Sequence, residues 1–94
     1  MTIQIKDNSI ELKQSLRSMI IYEKITEKPF AITNISDVVI YFYSVVLSSK
    51  LNCNITLDDF IDWLDDNKEA FEEFNAWLTS EAEKNTKLTG KKKK

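Results

Sequence analysis

Between Val38 and Leu47 the chain runs Val-Val-Ile-Tyr-Phe-Tyr-Ser-Val-Val-Leu, interrupted only by Ser44. Any fold of this chain must take most of that surface out of water. Its β-branched and aromatic residues favour a buried strand. Length argues the other way, because about fourteen residues run unbroken from Asp37 to Lys50. Ser36-Asp37 offers an N-terminal cap pair, and Asn52 and Asn54 offer a stop. The segment therefore reads as a helix over 37–50, apolar almost all round. It falls well short of the roughly 18 apolar residues that would span a bilayer.

Helical periodicity places the other elements around this one. Leu12, Leu16, Met19, Ile20 and Ile25 recur at about three and four, Asp7-Asn8-Ser9 offers caps ahead of them, and Pro29 blocks continuation. A helix over 9–25 is expected. Before it, Ile3 and Ile5 alternate with polar neighbours, a strand signal over 2–6. Pro29 to Thr33 is extended and could pair with that strand to give a small two-stranded element. Thr56-Leu57-Asp58-Asp59 resembles a capping box with Asp in place of Glu, and Phe60, Ile61 and Leu64 follow at helical spacing. This predicts a helix over 57–66. Ala70, Phe71, Phe74, Trp77, Leu78 and Ala82 form one stripe of a fourth, over 68–84.

The expected fold is mainly α: about four helices behind a short N-terminal strand. Ninety-four residues hold one core, so residues 1–84 read as a single helical domain. Residues 85–94 carry no apolar periodicity and read as a disordered lysine-rich tail.

Charge is unevenly spread. Residues 58–83 carry ten acidic groups against Lys68 alone, whereas residues 84–94 carry six lysines and no acid. Asp58, Asp62, Asp65, Asp66 and Glu69 share spacings of three, four or seven, so they form an acidic face that is either solvated or a dock for a basic partner. An EF-hand is excluded, since its loop needs alternate oxygens around a glycine turn. Phe60, Trp63, Phe71, Phe74 and Trp77 read as core. The helix over 37–50 is harder to absorb, being apolar round most of its circumference. It is either the central core helix or a helix whose outer side another chain covers. On the second reading Tyr41, Phe42, Val45 and Val46 are the candidate partner-binding side chains.

Most chemistry lacks its residues. The chain has no His, one Cys and one Gly. That removes Ser-His and Cys-His nucleophile pairs, His-containing zinc sites, and phosphate loops that need several glycines. No catalytic residue, metal site or cofactor is assigned. Cys53 alone cannot form an internal disulfide, and the first 25 residues contain no uninterrupted apolar run, so a cytoplasmic, unprocessed chain is expected. With one Arg and an acidic body, neither nucleic acid nor membrane is an expected partner. Two binding classes remain: an assembly helper, and a helical interaction module such as a regulator or inhibitor with an acidic binding face.

The order Leu16-Arg17-Ser18-Met19-Ile20-Ile21-Tyr22-Glu23, then Thr26, Lys28, Pro29 and Phe30, then an apolar helix, then Leu57-Asp58-Asp59-Phe60 leading to Asp65, resembles the small tail assembly chaperones of long-tailed phages and prophages. The likeness covers about residues 10–80. Many of that family carry Gly just before the Lys-Pro turn, where this chain has Glu27. The resemblance implies a mostly helical, non-virion protein of the host bacterial cytoplasm. It would bind the tape-measure protein, and also the tail tube protein, before the tail is built, with self-association as a further option. Such chaperones are often made with a frameshifted extension. Lysine runs are encoded by the A-rich codons on which ribosomes slip, so Gly90 to Lys94 is a candidate slip site.

Overall fold

Two residues in sequence alternation open the fold, and the same alternation returns after a tight turn. The computed structural model describes residues 1–50 and 55–93, with side chains described through Ser80. Strand β1 (Thr2–Ile5) pairs antiparallel with β2 (Asn8–Glu11), setting Ile3 opposite Ile10 and Ile5 opposite Asn8. Lys6, in the two-residue turn, takes the left-handed conformation with φ 53°. The small two-stranded element is therefore present, but its second strand is β2 and not Pro29 to Thr33. The expected helix over 9–25 is corrected as well. Ile10 and Leu12 sit two apart and are buried with Ile3 and Ile5, so period two governs up to Leu12.

Helix α1 (Leu16–Thr26) starts where chemistry permits it. Ser15 and Ser18 form a reciprocal capping box, each side chain accepting from the other's backbone N–H. The helix ends at Glu27, which turns left-handed with φ 57°. Helix α2 (Ile35–Ser49) replaces the expected 37–50 almost residue for residue, and its cap is Asn34, whose side chain accepts from Asp37 N–H at 2.9 Å. Ser44, the interruption in the apolar run, donates its hydroxyl to the Ile40 carbonyl one turn back at 2.8 Å. Its polar atom is thereby satisfied inside the helix.

Helix α3 (Leu57–Asp66) is capped by Thr56, which accepts from Asp59 N–H at 3.1 Å. Asn67 alone separates it from α4 (Lys68–Lys93): its N–H donates to the Leu64 carbonyl and its own carbonyl accepts from Ala70. The backbone of α4 continues past Lys84, where the apolar stripe ends. α2 lies at the centre and touches α1, α3, α4 and β2.

The core is an aromatic stack around α2. Phe42 and Phe74 lie face to face with centroids 4.1 Å apart, and Phe60 meets Phe42 edge-on at 5.0 Å. Such contacts stabilise beyond simple burial by about 0.5–1.5 kcal/mol each. Trp63 closes the hairpin onto α3 by donating its indole N–H to the Gln4 carbonyl at 3.0 Å. Among the described residues no helix is long and apolar enough to cross a membrane.

Candidate functional site

α2 cannot give its whole circumference to the core, and what remains uncovered defines the site. Val38, Tyr41, Phe42, Val45 and Val46 are buried against its neighbours. Ile35, on the first turn, is 71% exposed, and Val39 is half-buried beside it. The one-residue link at Asn67 brings α3 and α4 together below them. There Ile61, 40% exposed, and Leu64 from α3 meet Phe71 from α4. The five apolar side chains line an open groove of about 410 Å³.

Charge edges this groove. Asp65, Lys68 and Glu72 sit on its margin, and Asp58, Asp62 and Asp66 are further exposed carboxylates of α3. A greasy floor with a mainly anionic margin fits an amphipathic helix that carries an apolar row and basic flanks.

The expected sites divide. Tyr41, Phe42, Val45 and Val46 are all 0% exposed, so the expectation that they form a partner surface is corrected. The central position of α2 consumes that side in packing against α1, α3, α4 and the hairpin. The acidic residues Asp58, Asp62, Asp65, Asp66 and Glu69 are each exposed, with Asp65 at the groove and Glu69 beside the hairpin, and among the described residues no cluster of carboxylate or Cys side chains is arranged to hold a metal. Cys53 and the rest of the 51–54 segment lie outside the described residues, as do the side chains of the lysine run. Sequence reasoning missed Ile35 and Ile61 as surface; Phe71, read as core, is half-buried against the core with one side toward the groove. The available signal was Ile61 itself, which stands about 100° round the helix from the buried Phe60 and off the stripe that Phe60 and Leu64 complete.

A second cluster, also unforeseen, stands behind the first turn of α2. Asp37 is buried, and each of its oxygens meets two groups. Thr33 donates its N–H and its hydroxyl to Oδ2 at 2.9 and 2.8 Å, while the Tyr22 hydroxyl and Lys28 Nζ lie 3.0 and 3.1 Å from Oδ1. The Thr33 backbone bond above all, then its hydroxyl, holds the carboxyl well below the usual carboxylate range. Lys28 is raised by its bond to Asp37, and Tyr22 is raised chiefly by burial. With its acceptor positions filled, Asp37 is no free base. It fastens the loop over 28–34 to α1 and α2, and so fixes Ile35 at the groove.

No protein-family model matches the chain, and no curated protein or solved structure matches it. Function has to be argued from the groove's own chemistry.

Proposed function

We propose that this protein is a non-enzymatic assembly chaperone whose α2–α3–α4 groove receives an amphipathic helix of a client protein. The observation that carries the reading is the groove itself: Ile35 and Ile61 left exposed over Phe71 and Leu64, with Asp65 and Glu72 at the edge. A monomer gains nothing by leaving these side chains in water, so a partner that covers them is their natural explanation.

The resemblance to tail assembly chaperones of long-tailed phages and prophages names the client class. A tape-measure protein is a long, largely helical chain that exposes apolar stripes until it is encased. A helper that covers those stripes in the host cytoplasm keeps the chain from aggregating. The exit of α1 supports the resemblance. Glu27, at the position where many of that family carry Gly, adopts the left-handed conformation that glycine enters without steric cost.

The test is co-expression with the tape-measure protein of the same genome, followed by pull-down and titration with its helical segments. Wild-type chain is expected to capture the client, and Ile61→Glu to lose it while keeping its helical circular dichroism. Capture that survives Ile61→Glu and Ile35→Glu together overturns the groove as the docking site. Absence of capture by the wild type overturns the tape-measure assignment.

A further inference from the structure

A two-stranded sheet has two outer edges, and the fold covers one of them here. The hairpin's register fixes which backbone groups point outward. The Leu12 N–H donates to the Met1 carbonyl at 2.7 Å, whereas the Gln4 carbonyl, opposite Ser9, turns away to take the Trp63 indole N–H. Antiparallel pairs alternate between bonded and unbonded, so Ser9, Glu11 and Lys13 direct both N–H and C=O away from β1. The outer edge of β1 is turned onto α3 and α4. That of β2 opens instead into a cleft of about 470 Å³, whose far wall is the end of α2.

The chain closes this edge at one position and leaves the two before it. The Lys13 N–H donates to the Ser49 hydroxyl at 2.9 Å, a bond from α2 standing where a third strand's would. Among the described residues the outward groups of Ser9 and Glu11 have no partner. Lys13 and Lys50 flank the same cleft, and among the described residues neither is in an ion pair, although the chain carries a net charge of −2. Glu11 is the one carboxylate of the lining. We propose that the outer edge of β2 receives an extended segment of a partner protein by strand addition, with an acidic residue of that segment set between Lys13 and Lys50.

Backbone bonds to Ser9 and Glu11 supply the attraction, and side chains supply the choice of partner. A carboxylate directly opposite Glu11 is repelled, so the segment is neutral there and acidic at the Lys13 end. This is the reverse of what the α2–α3–α4 groove asks for, a helix with basic flanks. The groove lies at the first turns of α2 and the cleft at its last, so the two sites bind different segments without competing. The inference stands apart from the chaperone reading, since it uses none of the groove's residues. The free edge is short, which places the contact among weak ones, with a Kd of about 1 mM.

The experiment is amide NMR and hydrogen exchange on the full isotope-labelled chain, titrated to about 5 mM with the capped peptide Glu-Glu-Thr-Val-Thr-Val and, separately, its reversed sequence. The two orders set the acidic end at Lys13 in an antiparallel and a parallel strand respectively. With one of them the Ser9 and Glu11 amides are expected to shift to saturation and to exchange more slowly, and the same peptide with Lys in place of Glu should not saturate. Glu11→Pro deletes an outward N–H that takes no part in the β1–β2 ladder, so it should lose the peptide and keep its circular dichroism. Lys50→Glu, outside the hairpin, should weaken binding through charge alone and repeats the test if proline disturbs the strand. Shifts at Lys13 and Lys50 with unchanged exchange at Ser9 and Glu11, or the same shifts from inorganic phosphate, would make this an anion site and overturn strand addition. Equal binding of the Lys peptide, or no binding of either acidic peptide, overturns the proposal as well.

Discussion

Tyr22 and Asp37 meet inside the molecule at 3.0 Å, a hydroxyl of α1 against a carboxylate of α2. The same hydroxyl lies 2.9 Å from the Ala31 carbonyl, and with one proton for two acceptors it favours the charged one. The contact joins α1, the loop over 28–34 and the first turn of α2 in one network. It also bears on the groove's shape, because Ile35 sits two residues from Asp37 and lines the groove.

The network makes acid stability depend on Asp37. Its folded-state value lies below that of an unfolded Asp, so the unfolded chain takes up the proton first as pH falls. The stabilisation is whole above about pH 4 and is lost progressively below it. Asp37→Asn is expected to melt at lower temperature than wild type at neutral pH. The gap between the two melting temperatures should close as pH falls below about 4, where wild type loses what the variant never had. Scanning calorimetry of both proteins across that range decides it, and a gap of constant size would show that the carboxylate charge contributes nothing.

At the alkaline end the sign reverses. Lys28 is raised by Asp37, and Tyr22 and Tyr41 are raised chiefly by burial. Each holds its proton more firmly folded than unfolded, so the unfolded chain deprotonates first as pH rises, and stability is lost above about pH 10. Tyr22→Phe should cost about 1–2 kcal/mol at neutral pH by leaving buried acceptors short of a donor. It should also shallow the alkaline decline. Urea unfolding near pH 7 and above 10, read beside the tyrosinate absorbance of native protein, tests both; tyrosines that ionise at the free value contradict their burial.

Phe42 and Phe74 stack at 4.1 Å in the middle of the helices, and neither side chain reaches solvent. Phe74→Ala is expected to cost about 3–5 kcal/mol, since little around a cavity there can collapse into it. Phe42→Asp and Val46→Asp should abolish the fold outright, as each would bury an unpaired charge. Far-ultraviolet circular dichroism separates the outcomes, and a helical spectrum for Phe42→Asp would place that side chain on a surface.

How much of this was legible in the sequence follows from the range of the forces involved. Caps and stripes act locally, so the helices over 57–66 and from Lys68 onward are evident from Thr56, Phe60, Leu64, Phe71 and Phe74 alone. The hairpin is not, because Leu12 stands four residues before Leu16 and imitates helical spacing. Only pairing with Ile3 and Ile5, a contact across the turn at Lys6, reveals its true period. The groove is less visible still. Tyr41 and Ile61 are both apolar members of apolar helices, and which of them faces water is decided by where α1 and α4 come to rest. Asp37 is hidden for the same reason: as the third residue of a helix it reads as part of a cap, and its partners Tyr22 and Thr33 come from elsewhere in the chain.

Glu27 offers a prediction in which local strain and family pattern meet. Its φ of 57° satisfies the helix end, since its N–H donates to the Glu23 carbonyl at 2.8 Å while the chain reverses toward Pro29. A residue with a Cβ is disfavoured there by about 1 kcal/mol, whereas glycine enters the left-handed region without that cost. The side chain is exposed and gives little in return. Glycine does enlarge the freedom of the unfolded chain, which offsets part of the gain. Glu27→Gly is therefore expected to stabilise the protein by about 0.5 kcal/mol, and Glu27→Ala to do nothing or destabilise it slightly. Urea midpoints of the three proteins measure this. Equal stability for Gly and Ala would mean that the turn does not hold the left-handed conformation in solution, and with it would go the structural reason for linking this position to the glycine of the phage chaperones.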